Sequence, residues 1–262
     1  MLCFLGLLCL SSFLLSAIAF KSSSRIAFSQ KLVAIKSSKV DDKIEVEEYF
    51  NKEGFNRWNK IYSDSDEVNA VQLDIRIGHQ QTVDKVLGWI ENEDNSKKSV
   101  CDAGCGVGTL TLPMATKFSK VLASDISDAM VQECSRRAQT LGVKNTQFQV
   151  TDMESLGGSF NTVTCIDVMI HYPTDKVEEI VGKLGARATD RLIISFAPKN
   201  FFYDLLKKFG ELFPGKSKTT RAYLHPESVV VDALNKAGFT VKRTEMTSTK
   251  FYYSRLLEAV RV

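Results

Sequence analysis

Three sets of residues in this sequence have the type and spacing for chemistry. The first is Asp102-Ala103-Gly104-Cys105-Gly106-Val107-Gly108, an acid leading into three alternating glycines. Glycines let backbone approach a ligand closely, and a helix starting after them offers unpaired N–H groups, so the stretch reads as a nucleotide cradle. The second set is acids at the ends of apolar runs: Asp125 after Lys120–Ser124, Asp152 after Thr146–Val150, and Asp167 closing Asn161–Asp167. An acid in the first of these places accepts both hydroxyls of a ribose. In the second, Asp152 accepts from an adenine amine, with Met153 packed near the ring. The third set is Tyr62, His79 and His171, groups able to orient a nucleophile or take its proton.

The spacing of the loop narrows the ligand. A dinucleotide fingerprint is G-x-G-x-x-G, whereas here the third glycine comes one residue earlier and an acid leads in. That pattern resembles the first motif of the Rossmann-like S-adenosylmethionine (SAM) methyltransferases. The donor's sulfonium methyl is already activated, so the protein must align an acceptor with it and exclude water; orientation of this kind supplies up to ~7–11 kcal/mol. A carboxylate acceptor needs no base at neutral pH, while an alcohol or amine does. His171 follows a buried strand on the edge where the methyl donor sits. It reads either as a packed residue or as a group that hydrogen-bonds the acceptor, takes a proton or touches a metal in the substrate. His79, on a polar helix face, reads as a packed or surface residue or as a cofactor or lid contact, and His225, before Pro226, as a helix-start residue. Tyr62 reads as core packing or as a lid hydroxyl.

These groups need elements to hold them. Asp41–Tyr62 and Val68–Asn92 read as helices ahead of the first strand, a place for a lid. Ser99–Asp102 reads as the first strand, ending in its acid, and Thr109–Lys117 as a helix with Pro113 in its first turn. Lys120–Asp125, Thr146–Val150, Asn161–Asp167 and Arg191–Phe196 read as further strands. Between them come helices from Ser127, an N-cap, to Leu141, and from Lys176 to Leu184, with Pro226–Ala237 following. Phe239–Met246 and Phe251–Val260 form a terminal hairpin. Alternation of this kind predicts an α/β fold, a Rossmann-like, mostly parallel sheet with an antiparallel C-terminal hairpin. Residues 197–225 are long for a connector and rich in Phe, Tyr, Lys and Arg, which reads as an inserted substrate cap or as a solvated amphipathic helix. Aromatics in such a cap stack on a flat apolar ring while cations meet carboxylates.

Composition bounds the rest. At 262 residues the chain is one domain with extensions. Its net charge of +3 comes from five cations and no acid in residues 1–40; without them the body is −2. Nothing in this balance favours nucleic acid as a partner. Four of six cysteines, Cys101, Cys105, Cys134 and Cys165, lie outside the leader with no C-x-x-C pair, which reads as reduced, packed thiols. Residues 1–19 carry a short apolar run and an A-x-A site at Ala17-Ile18-Ala19, the pattern of a signal peptide. Residues 20–40 are Ser- and Lys-rich without acids, as in transit peptides. The pair resembles the bipartite presequence of plastid proteins in algae with secondary plastids; ordinary secretion and an uncleaved anchor are the alternatives. The expected layout is this leader, a helical lid at 41–97 and a methyltransferase domain at 98–262.

From about Glu45 to Arg261 the chain resembles the magnesium-protoporphyrin IX O-methyltransferase family of chlorophyll biosynthesis. The matching segments include Tyr49-Phe50-Asn51, Arg57-Trp58, Ile61-Tyr62, Val71–Arg76, Gly78–Thr82, the glycine loop, Ala123–Ser127, Ile170–Pro173, Ser195–Lys199, Phe213-Pro214-Gly215, Lys218–Tyr223, Met246–Thr249 and Glu258–Arg261. The resemblance implies methyl transfer from SAM to a propionate of Mg-protoporphyrin IX, with S-adenosylhomocysteine as product and the magnesium belonging to the substrate, so no protein-bound metal is expected. The residues it points to at the cofactor are Gln72, His79, Asp102, Gly104, Cys105, Gly106, Asp125, Ile126, Asp152, Met153 and Asp167. Tyr62 and His171 stand at the acceptor as catalytic candidates, and Lys199, Arg221 and Tyr223 at the porphyrin. A magnesium chelatase subunit delivering substrate, and peripheral contact with a thylakoid or envelope membrane from the stroma, are expected partners. The competing functions are a methyltransferase for another plastid molecule such as a quinone, a nicotinamide dehydrogenase, and a porphyrin carrier without turnover.

Overall fold

The computed structural model describes residues 43–63, 66–199 and 222–262. The expected signal and transit segments, and residues 200–221 of the expected cap with Arg221, lie outside the described residues. The chain divides into two units, residues 1–46 and 47–262, and the account below concerns the second.

Seven strands form one sheet: β1 Ser99–Ala103, β2 Lys120–Asp125, β3 Thr146–Val150, β4 Phe160–Cys165, β5 Ala188–Phe196, β6 Phe239–Ser248 and β7 Tyr253–Arg261. Their order is β3-β2-β1-β4-β5-β7-β6. The first five run parallel, and β7 pairs antiparallel with both β5 and β6. The inner parallel strands β1, β2, β4 and β5 are mostly buried because both faces are covered, whereas the edge strand β3, Thr-Gln-Phe-Gln-Val, is half open. On β5, Leu192 and Ile194 point toward one layer and Ile193 toward the other, as a pleat requires. The first layer receives α6 (Val177–Gly185) and α7 (Glu227–Lys236). The second receives α3 (Ala70–Ile90) and α4 (Thr111–Ala115). The strand order reverses between β1 and β4, and ligands of open α/β sheets bind at the carboxyl ends beside such a reversal. Asp125 ends β2, and Gly104, Asp152 and Asp167 follow the ends of β1, β3 and β4, all on that edge.

The helices ahead of the sheet differ from the expected pair. One helix over Asp41–Tyr62 is instead α1, helical through residue 51, and α2 (Glu53–Ile61), broken at Lys52. The break folds Gly54 onto Tyr49, where a Cβ would lie 2.5 Å from the ring. The second helix starts two residues later than expected. Asn69 caps it, accepting from the Gln72 amide at 2.9 Å, while Gln72 Oε1 accepts from Asn69 N at 3.1 Å. The helix after the glycine loop is shorter than Thr109–Lys117, because Thr109 and Leu110 belong to the turn that leaves the loop. Between Ser127, which caps Met130 N, and Gly142, at φ +69, runs α5 (Asp128–Thr140). No described helix is long and apolar enough to cross a membrane.

Candidate active site

The glycine loop hangs from β2. Gly104 N and Cys105 N both donate to Ser124 O, at 2.7 and 2.9 Å. Gly104, Gly106 and Gly108 all have positive φ, at 84, 50 and 91°. A Cβ on Gly104 would lie 2.2 Å from Val168 Cγ2, and one on Gly108 2.7 Å from Cys134 Sγ. Nothing lies within 4 Å of the same position on Gly106, so the middle of the loop is open where its neighbours are packed.

Asp125 closes the loop from the next strand. Its Oδ2 accepts from Gly106 N at 3.0 Å and its Oδ1 from Ser127 N at 2.9 Å. Burial nonetheless pushes its carboxyl up to about 6, against these amide donors. Ile126 follows, half-buried.

Asp102 lies underneath. It is 2% exposed, and its two oxygens accept from Thr111 Oγ1 at 2.5 Å and Thr164 Oγ1 at 2.8 Å. Burial raises its carboxyl above the ordinary range, with both hydroxyls opposing. Its side chain, expected at the cofactor, braces β1, α4 and β4. The side chain of Cys105 packs inward with Ala123 and Cys134, and the Cys134 contact together with burial keeps it a thiol. Met153, expected beside an adenine, is 6% exposed and packs in the core, its sulfur 3.6 Å from that of Cys165. Asp152 Oδ1 accepts from Ser155 N at 2.7 Å and so shapes the turn after β3. Gln72 directs its carbonyl to the helix cap.

His79 departs most from expectation. It is no surface residue of a polar face but 7% exposed, with Nδ1 2.7 Å from Asp167 Oδ2 and Nε2 2.8 Å from Thr109 Oγ1. Both ring nitrogens are therefore engaged within the protein. Asp167 adopts φ +60, the left-handed region that Asp tolerates better than most residues. Burial opposes its ionisation, but hydrogen bonds from His79, Tyr252 and Ser195 outweigh it and hold the carboxyl below the ordinary range. An ionised carboxylate only accepts, so Nδ1 of His79 carries the proton.

Tyr62 stacks on His79 with ring centroids 4.4 Å apart and planes 34° from parallel. Its main chain is fixed: Arg137 donates to Tyr62 O at 2.9 Å, and Arg76 donates to Ile61 O and Lys60 O. Burial, then the charge of Asp167, raises its hydroxyl well above the ordinary value, so it stays protonated. His171 ends a short 3-10 turn, Met169–His171, and meets the edge of Phe50 at 5.1 Å. Burial lowers it to about 4, with the charge of Asp167 opposing. The field of Asp167 thus reaches Tyr62 and His171 alike.

The roots of the expected cap are tied together. Lys199 N donates to His225 O at 3.3 Å, His225 N to Ala197 O at 3.1 Å, and Tyr223 N to Ile170 O at 2.8 Å. His225 is more than a helix-start residue: it is fully buried, with Nε2 2.9 Å from Met169 O and Nδ1 3.2 Å from Thr174 Oγ1. Thr111, Thr164, Ser195, Tyr252 and Ser254 join these networks and were not singled out in the sequence, where nothing but their positions near strand ends distinguishes them. No group of three or more His, Cys, Asp or Glu among the described residues is arranged to hold a metal.

Two family models match, Methyltransferase domain over residues 100–187 and Magnesium-protoporphyrin IX methyltransferase C-terminus over residues 165–261. A Magnesium-protoporphyrin O-methyltransferase from Synechocystis is 51% identical over 85% of this chain and 97% of its own length. The chain belongs to the magnesium-protoporphyrin IX methyltransferase family. A second family member, Magnesium protoporphyrin IX methyltransferase, chloroplastic, from Arabidopsis thaliana, is 51% identical over 84% of this chain and 71% of its own. A crystal structure of the Synechocystis family member with bound SAH superposes with a TM-score of 0.77 at 49% identity, covering 84% of this chain and 100% of that one. The fold is therefore that of a SAM-dependent methyltransferase.

Proposed function

We propose that this chain transfers a methyl group from SAM to a propionate carboxylate of Mg-protoporphyrin IX. The C–S bond of the sulfonium breaks, a C–O bond forms, and the products are the monomethyl ester and S-adenosylhomocysteine. The observation that carries this reading is the loop open at Gly106 and bonded to Asp125, in a chain half identical to named enzymes of this reaction. Asp125 receives the ribose hydroxyls, Gly104 and Gly106 let the main chain approach, and Asp102 supports the loop from below. Ile126 flanks the adenine side, as does Asp152 through its remaining acceptor capacity. Asp167 fixes His79 and with it the stacked Tyr62.

Tyr62 and His171 align the acceptor. Both are neutral at physiological pH, so each offers a hydrogen bond rather than a cation. That suits a carboxylate nucleophile, which needs orientation and no deprotonation. Helices ahead of β1 act as the lid. Lys199, Arg221 and Tyr223 are the porphyrin contacts we assign, the cations meeting propionates and the ring stacking on the macrocycle. The chloroplastic name of the Arabidopsis relative supports a plastid address, reached through the two-part leader. Delivery of porphyrin by a chelatase subunit and peripheral membrane contact belong to the same reading.

The test is product formation from SAM and Mg-protoporphyrin IX, read by mass. A gain of one methyl on the porphyrin, lost in Asp125→Ala, is expected. SAM binding without porphyrin product would overturn the acceptor and leave the cradle standing.

A further inference from the structure

One half-buried residue joins the Asp167 network from the far side of α3. Tyr252 sits in the turn between β6 and β7, and its hydroxyl lies 2.7 Å from Asp167 Oδ2 and 2.9 Å from Thr82 Oγ1. Its ring fills the space beside Gly78, where a Cβ would approach within 2.4 Å. The next residue along α3 is His79. The same turn is pinned to α3 a second time, since Asp74 Oδ2 accepts from Thr249 Oγ1 at 2.6 Å and from Phe251 N at 2.7 Å. Tyr62 and Tyr252 pack against one apolar cluster, Ile61, Val71 and Ile75.

Asp167 is where these contacts converge. It receives His79 and Tyr252 on Oδ2, and Ser195 Oγ and Ser254 Oγ on Oδ1 at 3.0 and 3.2 Å. Four side chains from α3, the hairpin turn, β5 and β7 therefore hold one residue in a left-handed conformation. Such a conformation persists where its surroundings over-determine it, and it serves to aim a group.

We propose that Tyr252 is a positioning residue for methyl transfer: it clamps Gly78 and Asp167, and so sets His79 and the Tyr62 ring stacked on it at the acceptor. This rests on the acceptor-side reading of Tyr62. Tyr252 does not touch the reacting atoms. Its hydroxyl donates to Asp167 and lies beside Thr82 Oγ1. Asp125 instead bonds the amides of Gly106 and Ser127, so the proposal separates alignment of the acceptor from binding of the donor.

The experiment compares Tyr252→Phe, Tyr62→Phe and the double variant with the unaltered chain, using Mg-protoporphyrin IX and SAM. Phenylalanine keeps the ring against Gly78, so the fold is retained. The expected result for Tyr252→Phe is a kcat lower by about tenfold with SAM affinity within about twofold, the signature of lost alignment. The double variant is expected to be no slower than Tyr62→Phe alone, because both act on one group. An unchanged kcat in Tyr252→Phe, a loss expressed in SAM affinity, or losses that multiply in the double variant would each overturn the proposal. A Tyr62→Phe variant with full kcat would overturn the acceptor-side reading and this proposal with it. Loss in Tyr62→Phe with none in Tyr252→Phe would remove the proposal alone.

Discussion

Asp125 Oδ2 accepts the amide proton of Gly106 at 3.0 Å, so the acid that ends β2 and the open glycine of the loop act as one unit. The carboxyl is shifted from its ordinary 3.8 up to about 6 by burial. In the empty protein the folded form holds this proton more tightly than the unfolded chain does. The group's contribution to stability is therefore greatest at low pH and falls as pH rises from 3.8 to about 6. Donor binding has the opposite sign, because ribose hydroxyls need the ionised acceptor. SAM affinity should be about tenfold weaker at pH 5 than at pH 8. Calorimetric titration across that range checks it, and Asp125→Asn should bind weakly at every pH. A flat profile in the unaltered chain would remove Asp125 from the donor site.

His171 moves the other way. Its folded value lies near 4 against an ordinary 6.5, so it is buried neutral. Its contribution to stability is present above pH 6.5 and is lost as pH falls toward 4. Methyl transfer under saturating SAM should show no acidic limb near 6.5 from this residue. His171→Asn, which keeps a donor, should retain more activity than His171→Ala. Equal losses in the two variants would mean that the ring's hydrogen bonding is not what the reaction uses.

The glycines of the loop should separate by cause. Gly104→Ala places a methyl 2.2 Å from Val168 at φ +84, and the clash falls on a β-branched side chain with little freedom to move. A loss of stability of about 2–4 kcal/mol is expected, from strain and overpacking together. Gly106→Ala meets no neighbour and carries only the left-handed penalty of about 1 kcal/mol. It should fold and yet bind SAM poorly, since the added methyl points into the open face. Thermal denaturation beside SAM titration distinguishes the two, and a Gly106→Ala variant that binds normally would place the donor elsewhere.

What the sequence disclosed follows the same physics. Strand ends and glycine spacing are local signals, so β1 to β5, the loop and Asp125 were legible directly. The terminal hairpin was legible from two runs separated by Thr247–Lys250. His79 was misread because Gln72–Thr82 looks polar in isolation. Its partners, Asp167 and Thr109, are 88 and 30 residues away, and no helical period encodes them. The break at Lys52 was hidden for a related reason: Gly54 was visible, but its packing against Tyr49 was not. The brace that Asp102 makes with Thr111 and Thr164 was not legible either, because these partners lie 9 and 62 residues away.

His225 shows how far such a hidden contact extends. It is the imidazole before Pro226, yet its Nε2 reaches Met169 O across the turn that ends in His171. Burial lowers its proton affinity, the Met169 carbonyl opposing, so at neutral pH one nitrogen donates and the other is left for Thr174 Oγ1. The segment returning from residues 200–221 is thereby fastened to the turn carrying His171, with Tyr223 N on Ile170 O as a second stitch. His225→Leu removes both side-chain bonds and leaves the Met169 carbonyl without this donor, a loss of about 1–3 kcal/mol. The turn and the segment root should loosen together. A rise in KM for Mg-protoporphyrin IX with a lower kcat is therefore expected, while SAM affinity stays near that of the unaltered chain, because the cradle lies on β1 and β2. His225→Gln, which keeps a donor of similar reach, should recover part of both losses. If His225→Leu weakened SAM binding as much as porphyrin turnover, the contact would be a general prop of the fold and not a link between the porphyrin side and His171.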